Sequence, residues 1–318
     1  MNKLDQKIKQ RIKDSHNILI VSHIRPDGDA IGSLLGLGLA LQNTGKNVQM
    51  VLADGVPANF RYLPGYQLVM KSQKDPVELS IVVDCSDLLR VGSALEEYGR
   101  ADIVIDHHRT NELFGEINLV EAHVPSTASV LMRHMENWGL NITTDVASNL
   151  LTGLITDTLG FRTLNTTSES LRQAADLMDI GAELDRLYYY SLVKRTLPGA
   201  RFWGIGLSKL HFDDGIVWTA LSREDRKKAG YSGNDDADMV NVVSAIEEGL
   251  VSIIFVEQPN GSVKISWRTI NPDIDVSQVA VQFNGGGHKA ASGADIQGSL
   301  DEVSKLVLKA THKMLKNR

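Results

Sequence analysis

The chain has 318 residues, 42% hydrophobic and 23% charged, enough for two domains whose cores need no cross-links. Its single cysteine, Cys85, excludes an internal disulfide, and no apolar run reaches the ~20 residues of a membrane helix. The net charge of −6, with basic residues scattered apart from pairs such as Lys194-Arg195 and Lys227-Lys228, argues against a groove for long nucleic acid.

Residues 1–17 mix Lys, Gln and Asp with apolar positions and lack a signal-peptide block, so a soluble, cytoplasmic protein with no membrane partner is expected. Asn17–Ser22 (N-I-L-I-V-S) reads as a short buried strand, followed by a helix from Ala30 to about Gln42. Further strands are expected at Asn47–Leu52, Ser80–Val83 and Asp102–Ile105, with a helix near Asp87–Tyr98 between the last two. Leu131, His134, Met135 and Trp138 recur at helical spacing, which makes Ser126–Gly139 an amphipathic helix. Leu150, Leu151, Leu154 and Ile155 mark another that ends near Asp157. Thr166 and Glu169 suggest a capping box ahead of a helix carrying Leu171, Ala174, Ala175 and Met178.

The pattern changes near Tyr188–Pro198. Strand-like runs follow at Phe202–Phe212, Ile216–Leu221, Val251–Glu257 and Ser262–Thr269. A last helix starts at a Ser299/Glu302 capping box, with Val303, Leu306, Val307, Ala310 and Met314 expected inside. The fold class is therefore α/β: a mostly parallel, three-layer domain over 1–187, a linker over 188–199, and a smaller α+β domain over 200–318.

Chemistry collects just after the early strands. The first runs into His23-Ile24-Arg25-Pro26-Asp27-Gly28-Asp29, the next into Asp84, and the third into Asp106-His107-His108. In open α/β sheets ligands bind beyond the carboxyl ends of strands, so three neighbouring strands would deliver imidazoles and carboxylates to one edge. Asp29 could also cap the following helix, with Gly32 and Gly36 letting that helix lie close to the sheet. Each piece alone has a plainer reading: a strand-end Asp is a turn former or cap, and a helix-end Asp157 is solvated. Together, so many acidic groups would repel one another unless cations joined them. Mixed His and Asp donors suit Mn²⁺, leave Zn²⁺, Fe²⁺ or Co²⁺ open, and are less typical of Mg²⁺ alone.

At these residues the sequence resembles the DHH phosphoesterase superfamily and, within it, the DHH–DHHA1 nanoRNase/pAp phosphatase (NrnA-like) subgroup. The motifs are S-H-I-R-P-D-G-D-A-I-G-S (22–33), V-V-D ending at Asp84, D-H-H-R-T-N (106–111), L-L-T-G-L-I-T-D-T-L-G-F (150–161) and F-N-G-G-G-H-K-A-A-S-G (283–293). The resemblance spans nearly the whole chain, in the family's order. It implies one metal on His23, Asp27 and Asp84, and a second on Asp29, Asp84, His107 and Asp157, with Asp84 shared. It also implies His108 beside the scissile phosphate and Asp106 orienting the histidines. Two divalent ions, Mn²⁺ first with Co²⁺ or Mg²⁺ as alternatives, are the implied cofactors.

In the second domain, Arg268 and the segment Gly285, Gly286, Gly287 and His288 are the candidate substrate contacts, a guanidinium fork and an anion nest. Without the family context the glycine run reads as a flexible loop. Ser126-Thr127 could touch phosphate, though a helix cap explains them equally well, and Cys85 reads as a buried small residue. The implied activity is that of a metal-dependent phosphodiesterase and phosphatase. It would act on short RNA, such as dinucleotides, and on the 3′-phosphate of pAp, with the active site in a cleft between the domains. A homodimer is compatible with this reading. The alternatives are a cyclic-dinucleotide phosphodiesterase, whose membrane-anchored members carry extra N-terminal segments, and a non-catalytic nucleotide sensor, which should have lost ligands. A RecJ-like exonuclease or a related pyrophosphatase fits less well, for want of a basic groove in the first case and because of the glycine-rich motif in the second.

Overall fold

The computed structural model describes residues 2–316. It divides into two compact units, one ending at Lys194 and the other beginning at Arg195. Among the described residues no helix is long and apolar enough to cross a membrane.

The first unit runs α1 (Lys3–Asp14), β1 (Asn17–Val21), α2 (Gly28–Gln42), β2 (Asn47–Val51), β3 (Val69–Met70), β4 (Leu79–Val83), α3 (Leu88–Val91), β5 (Ile103–Asp106), β6 (Ile117–Val120), α4 (Thr127–Trp138), α5 (Thr144–Asp157), α6 (Ser168–Asp179) and α7 (Leu184–Tyr188). Its six strands are all parallel, in the order β3-β2-β1-β4-β5-β6. Both faces are covered, which is why the strands read as unbroken apolar runs. Ile18 and Ile20 of β1 face one core with α2, α4 and α5, while Leu19 and Val21 face a second with Cys85, Val91 and Leu95. After β3 the chain returns to the other side of β1, so β1 and β4 flank a topological switch point, where such sheets bind ligands.

The second unit comprises α8 (Leu197–Ser208), β7 (His211–Asp213), β8 (Ile216–Leu221), α9 (Arg223–Ala229), α10 (Met239–Val243), β9 (Val251–Glu257), β10 (Ser262–Arg268), α11 (Ser277–Ala280), β11 (Gly286–His288), β12 (Ala291–Gln297) and α12 (Leu300–Lys316). Its mixed sheet has the order β11-β12-β10-β9-β8-β7, with only β8 and β9 parallel.

Several local expectations are corrected. Most of Phe202–Phe212 is not a strand, only its last two residues entering β7: α8 occupies Leu197–Ser208, started by Thr196, whose side chain accepts from Gly199 N–H, with Pro198 in the first turn. A short apolar run does not distinguish helix from strand, and the Thr–Pro start signal decides it. Within the span 188–199, expected as a helical or extended linker, only 194–196 lie outside helices. The helix expected over Asp87–Tyr98 shrinks to α3, capped by Asp87 and stopped at Gly92, with a 3₁₀ turn after it. The capping box before α6 is Thr167 with Ser170, one residue later than Thr166/Glu169.

Two helix faces are also rotated from the apolar pattern. In α6, Ser170, Gln173, Ala174 and Leu177 are buried, whereas Leu171, Ala175 and Met178 are exposed. Gln173 can sit inside because it donates to Ser129 O, and a buried polar group costs little once bonded. In α12 the inward stripe is Val303, Val307 and Thr311, and Leu306 is 52% exposed.

Candidate metal centre

The loop after β1 is shaped by its neighbours. Ile24 N–H donates to Arg90 O at 2.7 Å, and Arg25, in the left-handed region at φ 55°, donates its N–H to Asp54 Oδ2 at 2.6 Å. Asp27, not Asp29, caps α2, accepting from the N–H groups of Asp29 and Ala30 at 3.1 Å each. Asp84 follows β4 with φ 53°, a conformation costing a non-glycine residue on the order of 1 kcal/mol. Its N–H donates to Ile105 O at 3.0 Å, so the bond to β5 holds the strained residue in place.

These loops bring the first-unit candidates together. His23 Nε2 lies 3.6 Å from Asp84 Oδ2 and 3.9 Å from Asp27 Oδ2. His107 Nε2 lies 3.7 Å from Asp84 Oδ1, 3.9 Å from Asp29 Oδ2 and 3.4 Å from Asp157 Oδ2. Asp84 thus presents one oxygen toward each histidine. Two groups, His23/Asp27/Asp84 and Asp29/Asp84/His107, have ligand atoms within 4.8 Å of one another and could each hold a metal ion. Donors roughly 2.1 Å from a shared cation stand about 3–4 Å apart, so the observed spacings fit one.

Charge supports the same fit. Burial first, then the Asp84, Asp157 and Asp27 charges, hold the Asp29 carboxyl well above the ordinary carboxylate range. Burial and the Asp27 and Asp84 charges push Asp157 up to about 7, against the pull of His107 and His108. Burial also opposes ionisation of Asp84, but the His23 hydrogen bond and the charges on His108, His23 and His107 prevail and hold it low. The cluster therefore carries more buried acid than its histidines neutralise, the condition a divalent cation relieves.

Beside it, Asp106 is fully buried at the end of β5. Its Oδ1 accepts from His107 N–H at 2.8 Å and from His108 Nδ1 at 2.7 Å, and its Oδ2 accepts from Asn111 Nδ2 at 2.6 Å. A carboxylate only accepts, so the His108 proton lies on Nδ1 and Nε2 is the ring's other face to the site. Burial works against the imidazolium, yet Asp106 and the Asp84 and Asp157 charges raise His108 to about 9.

Asp157 reaches the centre through close helix packing. Gly32 and Gly36 face α5 rather than the sheet: a Cβ on Gly32 would lie 2.5 Å from Asn149 O, and one on Gly36 2.8 Å from Leu150 Cδ2. Facing them, a Cβ on Gly153 would come 2.6 Å from Asp29 Oδ1. Any larger residue at this crossing would displace the end of α5 and Asp157 with it.

Residues 17–154 match the DHH family, N-terminal domain, and residues 214–316 match the DHHA1 domain. The bifunctional oligoribonuclease and PAP phosphatase NrnA of Thermus thermophilus is 35% identical over 94% of this chain and 90% of its own length. The chain belongs to the DHH–DHHA1 phosphoesterase family, in its NrnA-like subgroup. The enzyme of the same name from Bacillus subtilis is 27% identical over 91% of this chain and 92% of its own. Among solved structures, an exopolyphosphatase-related protein from Bacteroides fragilis is 26% identical with a TM-score of 0.88, covering 98% of each chain.

Within the DHHA1 domain the candidates fall on one sheet region. Ala291 of β12 pairs with Arg268 on one side and with His288 on the other, so Arg268 and His288 occupy the same cross-strand row. Arg268 is half-buried and donates from Nη1 to Trp267 O at 2.9 Å. Burial lowers the pKa of its guanidinium, and the Asp236 and Asp238 charges oppose that. The glycine run is ordered rather than a loose loop: Gly285 N–H donates to Ala280 O at 2.9 Å, and Gly286–His288 form the edge strand β11. Gly287, at φ 133°, would place a Cβ 2.5 Å from Ala291 O.

Sequence alone assigns no role of their own to Asn111 and Asp54, and for Thr127 it offers only a phosphate contact or a helix cap. Asn111 lies inside the D-H-H-R-T-N motif, whereas Asp54 and Thr127 act through contacts distant in sequence.

Proposed function

We propose that this chain is a two-metal phosphoesterase that hydrolyses short oligoribonucleotides, dinucleotides among them, and the 3′-phosphate of pAp. The observation that carries this reading is Asp84, which offers Oδ2 to the His23 group and Oδ1 to the His107 group. The Thermus and Bacillus relatives, named as oligoribonuclease and PAP phosphatase, point to the substrate class.

Two divalent cations, Mn²⁺ in our reading, held by His23, Asp27 and Asp84 and by Asp29, Asp84, His107 and Asp157, would supply an acidified water and neutralise phosphoryl charge when bound. His108, with its Nδ1–H held by Asp106, is favoured as the imidazolium, whose second proton on Nε2 would serve the oxygen on which charge develops. Asp106 cannot leave that role easily, since its other oxygen is tied to Asn111. Burial of His23, Asp29, Asp84 and His107 excludes bulk water and strengthens each of these contacts. In the DHHA1 domain, Arg268, Gly285, Gly286, Gly287 and His288 would bind a second phosphate of the substrate, which favours substrates that carry one.

The test is product release from a dinucleotide, pAp, a ten-nucleotide RNA and a cyclic dinucleotide, each with Mn²⁺ and with excess chelator. Fast turnover of the dinucleotide and pAp, lost on chelation, is expected. Undiminished activity in chelator would overturn the metal reading, and preference for the cyclic dinucleotide would reassign the substrate.

A further inference from the structure

Thr127 opens α4, directly after the cap residue Ser126, whose hydroxyl accepts from Ser129 N–H at 3.0 Å. A threonine in the first turn of a helix usually leaves its hydroxyl to water or turns it back on its own backbone. Here Thr127 is fully buried and its Oγ1 donates to Asp84 Oδ1 at 2.9 Å. Its own N–H donates to Asp29 Oδ2 at 2.6 Å, and the next N–H, of Ala128, donates to Asp29 Oδ1 at 3.0 Å. One residue therefore grips two carboxylates from different parts of the chain, one in the first turn of α2 and one after β4, 98 and 43 positions away in sequence.

The oxygen it holds is specific. Asp84 Oδ1, bound by Thr127, is the oxygen 3.7 Å from His107 Nε2, whereas Oδ2 faces His23. The hydroxyl must donate, because an ionised carboxylate offers no proton. Asp29 and Asp84 repel each other, and without a fixed donor the Asp84 carboxylate would rotate away from Asp29. A β-branched side chain has few rotamers, so the donor stays where the helix puts it.

Resting on the two-metal reading, we propose that Thr127 is a positioning residue for the Asp29/Asp84/His107 ligand set: it sets the rotation of Asp84 so that this carboxylate serves two cations at once. Thr127→Val keeps the volume and the backbone N–H groups but removes the hydroxyl. Thr127→Ser keeps the hydroxyl.

Mn²⁺ binding is measured by calorimetry and electron paramagnetic resonance on metal-stripped protein, with melting of the metal-free forms as a control. In Thr127→Val one of two Mn²⁺ equivalents should weaken by about ten- to a hundredfold, the usual effect of losing a residue that orients a ligand. The other equivalent should move less, kcat should fall more than KM rises, and Thr127→Ser should restore binding to within a few fold. If Thr127→Val fails to fold, Thr127→Ala makes the same test without a methyl group against Asp84. Parent-like binding in the hydroxyl-less variant, equal loss of both equivalents, or a Ser variant as poor as the Val variant overturns the proposal. A parent protein that binds fewer than two Mn²⁺ ions overturns the two-metal reading instead, so the two failures are distinguishable.

Discussion

Asp106→Asn is the substitution that most directly separates chemistry from metal binding at this centre. Asp106 touches His108 Nδ1 at 2.7 Å and is fully buried, so its charge acts at short range in a medium that screens poorly. Moving an imidazole from 6.5 to about 9 corresponds to roughly 3 kcal/mol in favour of the imidazolium. Burial opposes that preference, and the Asp106 hydrogen bond is the largest contribution in its favour. An asparagine cannot replace it without conflict. If its oxygen faces His108, its amide nitrogen meets Asn111 Nδ2, and turning Asn111 over would forfeit the bond from Leu113 N–H at 2.7 Å.

In metal-free protein, proton-detected titration should therefore find His108 near 9 in the parent and at least one unit lower in Asp106→Asn. The sign follows from linkage. A raised histidine stabilises the fold fully below pH 6.5, and that contribution fades as pH climbs through about 9. The variant should lose this dependence. Bound cations push His108 down in both proteins, so the rate assay is read as a difference: the alkaline limb of kcat/KM should move to lower pH in the variant. Its Mn²⁺ content should stay that of the parent. An unchanged His108 titration, or a fall in rate with the alkaline limb in place, would refute the assignment of His108 as donor and Asp106 as its orienting partner.

Asp84→Asn should lower bound Mn²⁺ from two equivalents to one or none and reduce kcat by about a thousandfold or more, since metal ligands anchor the reaction. Metal analysis after dialysis checks it, and two retained equivalents would contradict the shared role. Gly153→Ala should destabilise the protein by about 1–3 kcal/mol and weaken Mn²⁺ binding, because the added methyl meets Asp29 Oδ1 and the α2–α5 crossing must open. Chemical denaturation and metal titration measure both; parent-like values in both would show that the crossing is slack. Arg268→Ala should raise KM for a dinucleotide and for pAp about ten- to a hundredfold, the worth of a charge-assisted contact, with metal content unchanged. Turnover of bis-p-nitrophenyl phosphate should barely alter, and equal losses on all substrates would make Arg268 a support of the fold.

The parallel sheet was legible because buried strands betray themselves as short apolar runs, and Asn17–Ser22 and Ser80–Val83 stand within a residue of β1 and β4. Most of the centre was legible because His23, Asp27, Asp84, Asp106, His107 and His108 sit at or just after strand ends, where chain position alone implies neighbourhood, whereas Asp157, at a helix end, was implied only by the family resemblance. What the sequence hid was contact at a distance. Gly32 looks the same whether it faces a sheet or a helix, and only the fold shows that it meets Asn149. Thr127 carries a helix-start signal that accounts for it completely until its hydroxyl is seen on Asp84. Apolar pattern misplaced the faces of α6 and α12 for a related reason: a buried glutamine or threonine has no hydrophobic signature. Gln173 and Thr311 are inside because their bonds to Ser129 and Val307 satisfy them.

Those hidden contacts answer a problem that the visible residues pose. Carboxylates gathered at one sheet edge repel, and burial makes each charge costlier. The protein meets the cost differently at each one. Asp29 is answered by two N–H groups at the start of α4, where the helix dipole also favours a negative charge. Asp84 is answered by histidines and a hydroxyl, and Asp106 by His108 and Asn111. Asp157, at the carboxyl end of α5, has the dipole against it, and although His107 Nε2 lies 3.4 Å from its Oδ2, burial and the Asp27 and Asp84 charges push it up to about 7. A proton held near neutrality is readily exchanged for a cation, so Asp157 is a carboxylate that gains from metal binding. The packing that forces Asp157 into place, glycine against backbone, thus stores an electrostatic imbalance that a divalent ion relieves.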